Sequence, residues 1–168
     1  MEIVVYGAGA VGGYLGGRLA LAGHRVTLVV RPAAAAALNA GGLLITEAGA
    51  TRVAPVRAVD RLAAAFDGPE PDLILLGMKS YDLAAAVAEL AAVCPRPACL
   101  LTTQNGIGVE EIVAAHFDPA RLLAGTVTIP VSRAGANGVA VARPGRGLGL
   151  APVLAGQPVD AWVGLFAA

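Results

Sequence analysis

Short apolar runs alternate with longer segments of helical period along this chain. Residues 2–6, with Ile3-Val4-Val5-Tyr6, read as a strand, and 10–22 read as a helix stopped by Gly23. Residues 25–30 give a second strand and the alanine-rich 33–40 a second helix, closed by Gly41-Gly42. Residues 43–45 and 51–59 look like strands around a Gly49 turn, and 61–66 like a short helix. The run Asp72-Leu73-Ile74-Leu75-Leu76 is continuously apolar, as in a parallel strand buried on both faces. Leu83, Val87 and Leu90 mark one side of a helix over 80–92, with Ser80 its candidate N-cap. Residues 98–101 predict another buried strand, 108–116 a helix and 122–131 a further strand. Residues 138–142 and 147–150 predict a hairpin across Pro144-Gly145, and the tail from 157 to 166 a last helix.

This βαβα alternation predicts an α/β fold: a Rossmann-type, doubly wound, mainly parallel sheet with helices on both faces. Right-handed crossovers bring the C-terminal strand ends to one edge, where ligands bind in such sheets. The glycine-rich loop after the first strand, Arg31, Met78-Lys79 and Asn105-Gly106 all fall there.

The loop reads Gly7-Ala8-Gly9-Ala10-Val11-Gly12, a G-x-G-x-x-G at a strand-to-helix junction. Gly7 permits the tight turn, Gly9 lets a pyrophosphate approach the backbone, and Gly12 lets helix and strand pack closely. The helix N-terminus offers free N–H groups and partial positive charge to phosphates. Arg31 directly follows the second strand, in Val29-Val30-Arg31-Pro32, where NAD-specific domains carry an acid for the ribose 2′-hydroxyl. A guanidinium there suits a 2′-phosphate through a bidentate pair, so the expected cofactor is NADP(H).

Composition narrows the partners. Net charge is zero, so nothing recommends a nucleic acid or an acidic membrane. The chain is 57% hydrophobic, yet no apolar run reaches the roughly 20 residues of a membrane span. The first apolar run lacks the basic flank of a signal peptide, and the expected location is cytoplasmic. Cys94 and Cys99 lack the spacing of a redox or zinc pair and read as filler; no metal is expected. His24 and His116 read as capping or surface residues.

Lys79 is the only lysine beside eleven arginines. At a strand end, its rotatable ammonium suits a cofactor ribose or a substrate carboxylate; a surface charge preceding a helix is the other reading. Asn105, in Thr102-Thr103-Gln104-Asn105-Gly106, can donate and accept at once, which suits a ribose hydroxyl or a substrate oxygen, or else makes an ordinary Asn-Gly turn.

Taken in order, the glycine loop, Arg31, Met78-Lys79-Ser80-Tyr81 and Gln104-Asn105-Gly106-Ile107-Gly108 resemble the ketopantoate reductases (2-dehydropantoate 2-reductases). Gly125-Thr126, Gly138-Val139 and Gly147-Leu148-Gly149-Leu150 extend the likeness over nearly the whole chain. The resemblance implies NADPH-dependent reduction of the ketone of 2-dehydropantoate to pantoate, on the route to pantothenate and coenzyme A. It implies that Gly7, Ala8, Gly9, Ala10, Val11, Gly12 and Arg31 hold NADP(H). It implies that Lys79 contacts the cofactor near the reacting centre, that Asn105 contacts cofactor and substrate, and that Val131 gives a backbone contact.

It also implies a second, helical domain that supplies the general-acid lysine and most of the substrate pocket. Residues 1–168 are therefore expected to form one NADP-binding domain, with no catalytic residue of their own. That domain is expected to bind NADPH but show little reduction alone, and to form a homodimer through the face left by the absent domain. A stand-alone NADP-binding or sensing module, or a reductase of another 2-oxoacid, is the competing expectation.

Overall fold

The computed structural model describes residues 1–143, 145 and 147–167. Five α-helices, two short 3-10 helices (Ala63–Phe66 and Pro119–Arg121) and eleven strands follow one another among these residues. The first half runs β1 (Glu2–Tyr6), α1 (Ala10–Leu21), β2 (Arg25–Val29), α2 (Pro32–Gly41), β3 (Leu43–Glu47), β4 (Ala50–Ala54) and β5 (Arg57–Val59). It continues with β6 (Leu73–Leu76), α3 (Ser80–Val93), β7 (Leu100–Thr102), α4 (Val109–Ala114), β8 (Leu122–Val127), β9 (Val131–Arg133), β10 (Gly138–Val141), β11 (Leu148–Pro152) and α5 (Asp160–Ala167).

The main sheet has seven strands in the order β11-β8-β7-β6-β1-β2-β5. All its pairings are parallel except that of β11 with β8. The chain builds outward from β1 in one direction through β2, then crosses to the other side at β6. The order therefore reverses between β1 and β6, and this is where an open α/β sheet leaves a crevice at its strand C-termini.

Strand periodicity divides the core between the two faces of this sheet. Ile3, Val5, Leu73 and Leu75 point to the face covered by α1 and α2. Val4, Ile74, Leu76 and Leu100 point to the face covered by α3 and α4. Each such fully buried Leu or Ile contributes about 1.5–3 kcal/mol relative to exposure.

A second sheet, β4-β3-β10-β9, packs on the outer side of α1. The helix is thus held between two sheets, and its glycines are the reason it fits. A Cβ added at Gly16 would stand 2.9 Å from Val5 Cγ2 of the main sheet. One added at Gly17 would stand 2.5 Å from Ile45 Cδ1 of the second sheet, and one at Gly13 would stand 3.3 Å from Val139 Cγ1. Two glycine stripes, each with four-residue spacing, therefore face two different sheets.

Several boundaries differ from the sequence expectation. Residues 51–59 are two strands: Pro55 separates β4 in the second sheet from β5 on the edge of the main one. Residues 122–131 are likewise divided, because the Ile129-Pro130 segment carries the chain from β8 in the main sheet to β9 in the second. Proline lacks the ladder N–H, so both breaks fall where a strand must leave its sheet. The expected 138–142/147–150 hairpin is absent. Strand β10 lies between β3 and β9, whereas β11 pairs with β8. Val139 fills the space against α1 and Leu148 and Leu150 pack on the main core, which draws the two segments apart. Pro144, in the expected turn, lies outside the described residues. Ser80 is the first residue of α3 and not its cap. Lys79 holds the N-cap position, with φ −70° and ψ 153°.

Candidate functional site

The C-terminal ends of β1, β2, β6 and β7 open onto one cleft of about 640 Å³. The loop at its centre is shaped by backbone contacts that only glycine allows. Gly7 adopts φ +84°, and a Cβ there would stand 2.5 Å from the Met78 nitrogen. Cβ atoms at Gly12 and at Gly77 would each stand 2.9 Å from the Gly7 carbonyl oxygen. Gly7, Gly12 and Gly77 therefore seat the β1–α1 loop directly on the β6–α3 loop. Gly77 also donates its N–H to the Tyr6 carbonyl at 2.8 Å.

Gly9 is different. A Cβ there meets nothing within 4 Å, so the backbone is open to the cleft. The N-cap Gly9 offers no side chain to the first N–H groups of α1, and the first turn carries no acid. Those donors are left for an outside acceptor, and the helix dipole favours a negative one. The surroundings fit a dinucleotide diphosphate on this ground alone.

Arg31 caps α2, its carbonyl accepting from Ala34 and Ala35 at 2.9 and 3.0 Å, and its exposed side chain lines the cleft. Lys79 caps α3 and is also exposed to the cleft. Asn105 follows β7 on the same rim. The structure thus brings Gly7, Ala8, Gly9, Ala10, Val11, Arg31, Lys79, Asn105 and Val131 to one cleft. Gly12 lies below the lining, in the contact between loop and sheet.

Sequence reasoning passed over several residues here. Gln104 ties the two loops together. Its side-chain N–H groups donate to the carbonyls of Leu76 (2.9 Å) and Met78 (3.0 Å), and its Oε1 accepts from the Thr103 N–H (3.2 Å). The Thr103 hydroxyl adds a bond to the Leu76 carbonyl at 2.9 Å. Lys79 and Asn105, which follow Met78 and Gln104, are positioned by this clasp. Tyr81, 82% exposed, and Asp82, the one carboxylate among the lining residues, contribute from the first turn of α3. Arg133 enters from β9, two residues after Val131. Strand alternation puts that pair on one side, the signal that could have found it.

A doubly wound sheet whose glycine loop and helix N-terminus face a crevice at the switch point is a Rossmann-type domain. Comparison with known proteins narrows the class. Residues 3–147 match the model of the family described as "Ketopantoate reductase PanE/ApbA". A 2-dehydropantoate 2-reductase of Mesorhizobium japonicum is 37% identical over 108 residues, which are 64% of this chain and 32% of that one. A 2-dehydropantoate 2-reductase of Pyrococcus horikoshii is 38% identical over 111 residues, 66% of this chain and 35% of that one. The crystal structure of a PanE/ApbA family ketopantoate reductase from Ralstonia eutropha superposes with a TM-score of 0.86 at 29% identity, covering 99% of this chain and 53% of that one. The chain belongs to the ketopantoate reductase PanE/ApbA family, and it spans about a third of the length of these curated relatives.

Proposed function

We propose that this chain binds NADP(H) in the cleft and forms the cofactor-binding part of a reductase of the 2-dehydropantoate type. The observation that carries the reading is the meeting of the glycine loop, Arg31, Lys79 and Asn105 around one cleft in a member of this family. The free N–H groups in the first turn of α1 receive the diphosphate, while those of Gly7, Ala8 and Gly9 are spent on backbone carbonyls that shape the loop. Arg31 holds the 2′-phosphate with its planar fork. Lys79 and Asn105, fixed by Gln104, orient a ribose hydroxyl or the substrate oxygen. The bound cofactor supplies the hydride for a ketone of a 2-oxoacid.

Reduction of a ketone also needs a proton at the developing alkoxide. Membership of the family assigns Lys79 to the cofactor side and the proton donor to a helical domain of the kind the resemblance implies. On this reading the chain binds NADPH and by itself reduces 2-dehydropantoate little or not at all. The test of cofactor choice is Arg31→Asp. NADPH affinity is expected to fall far more than NADH affinity in a calorimetric titration; an equal loss of both would remove the assignment.

A further inference from the structure

We infer that Arg133, on the second sheet, closes over the cofactor diphosphate from the side opposite the glycine loop. The inference rests on the NADP(H) reading above and adds a residue to it. Arg133 is the cross-strand partner of Val139 in the antiparallel β9–β10 pair. Cross-strand partners project from the same face of a sheet. That face abuts α1, because Val139 Cγ1 stands 3.3 Å from where a Cβ of Gly13 would be. Gly13 is in the first turn of α1, and its N–H bonds the Gly9 carbonyl at 2.9 Å. Arg133 therefore rises on the α1 side, beside the end of the helix that carries the free donors. Strand β9 is the edge of its sheet, and the Arg133 side chain is exposed.

Charge points to the same occupant. Arg133 is exposed, lines the cleft with Gly9 and Ala10, and among the described residues forms no ion pair within 4.0 Å. The lining holds three cations, Arg31, Lys79 and Arg133, against one carboxylate, Asp82. Arg31, after β2, serves a 2′-phosphate, and Lys79 lies across the glycine loop at the end of β6. A diphosphate seated on the α1 N-terminus takes backbone donors from the helix turn, which leaves its outer side to be met by side chains. A guanidinium standing over that turn meets that side, and its fork matches phosphate oxygens.

The test uses Arg133→Gln, with Arg133→Lys beside it, in calorimetric and competition titrations of NADPH, NADH, ADP and adenosine 2′-monophosphate. The expected result for Arg133→Gln is a common loss of about tenfold or more for NADPH, NADH and ADP, the scale of one charge-assisted hydrogen bond. Adenosine 2′-monophosphate, which has no diphosphate, keeps its affinity, and Arg133→Lys recovers part of the loss. Unchanged NADPH and ADP affinities in the variant, with wild-type binding intact, overturn the assignment and leave the cofactor reading standing. That outcome would direct Arg133 to a substrate carboxylate. A wild-type chain that binds neither NADPH nor ADP overturns both.

Discussion

The side-chain amide of Gln104 donates to the Met78 carbonyl at 3.0 Å, joining the loop after β7 to the loop after β6. The same nitrogen bonds the Leu76 carbonyl, so one side chain sets the distance between Lys79 and Asn105. Gln104→Leu leaves the Met78 carbonyl without this donor, a cost of about 1–3 kcal/mol. For a chain of this length that is a fall in Tm of roughly 2–12 °C by calorimetry. NADPH affinity is expected to drop severalfold in the same variant. An unchanged Tm and affinity would show that the clasp positions nothing.

Gly77 and Gly9 separate packing from binding. Gly77→Ala drives a methyl to within 2.9 Å of the Gly7 carbonyl and 3.0 Å of Gly12 Cα, both backbone atoms that cannot swing away. Gly77→Ala is expected to lower stability by about 1–3 kcal/mol, the usual scale of overpacking, and to weaken NADPH binding with it. Gly9→Ala projects into open space, so its denaturation midpoint stays near that of the wild type while NADPH binding is lost. Equal effects of the two on stability would contradict the packing described.

The two thiols differ in reach. Cys99 is buried just before β7, and burial pushes its thiol up to about 12; Cys94 is half-buried and raised more modestly by the same cause. Because the thiolate is the reacting form, Cys99 is expected to resist a disulfide reagent at pH 8 until the chain unfolds, while Cys94 reacts slowly in the folded state. Rapid labelling of both would place Cys99 outside the core.

Alkaline stability follows from Tyr14. Its hydroxyl donates to Glu47 Oε1 at 3.0 Å and accepts from Arg18 at 3.2 Å, fastening α1 to β3. Burial first, then the bond to Glu47, raises its pKa, with Arg18 opposing; burial and Glu89 raise Tyr6 as well. The folded chain keeps these protons more tightly than the unfolded chain. The resulting stability is present below about pH 10 and is lost as pH climbs through the folded values. Urea midpoints measured from pH 8 to 11.5 are expected to fall above pH 10, less steeply for Tyr14→Phe. A midpoint that rises there would reverse the sign.

Much of the main sheet was legible in the sequence because its strands are short apolar runs closed by glycine or charge. Leu73 to Leu76 and Ile3 to Tyr6 could be placed on residue patterns alone. In the second sheet the strands around Gly49 were legible as well, but the long-range pairing of β10 with β3 that joins the sheet was not. Strand β10 seats Val139 against Gly13, more than a hundred residues away, and no local signal separates that arrangement from a hairpin with β11. In the site, the residues with motif spacing were legible. Gln104 was seen as part of a motif without its clasp, Gly77 carried no pattern, and Arg133 needed the cross-strand register to be placed.

Calorimetric titration of NADPH into the chain tests most directly whether this cleft takes the cofactor. The expected result is saturable binding of one NADPH per chain, tighter than NADH and lost in Gly9→Ala. Heats that never saturate, or binding indifferent to Gly9→Ala, would contradict it.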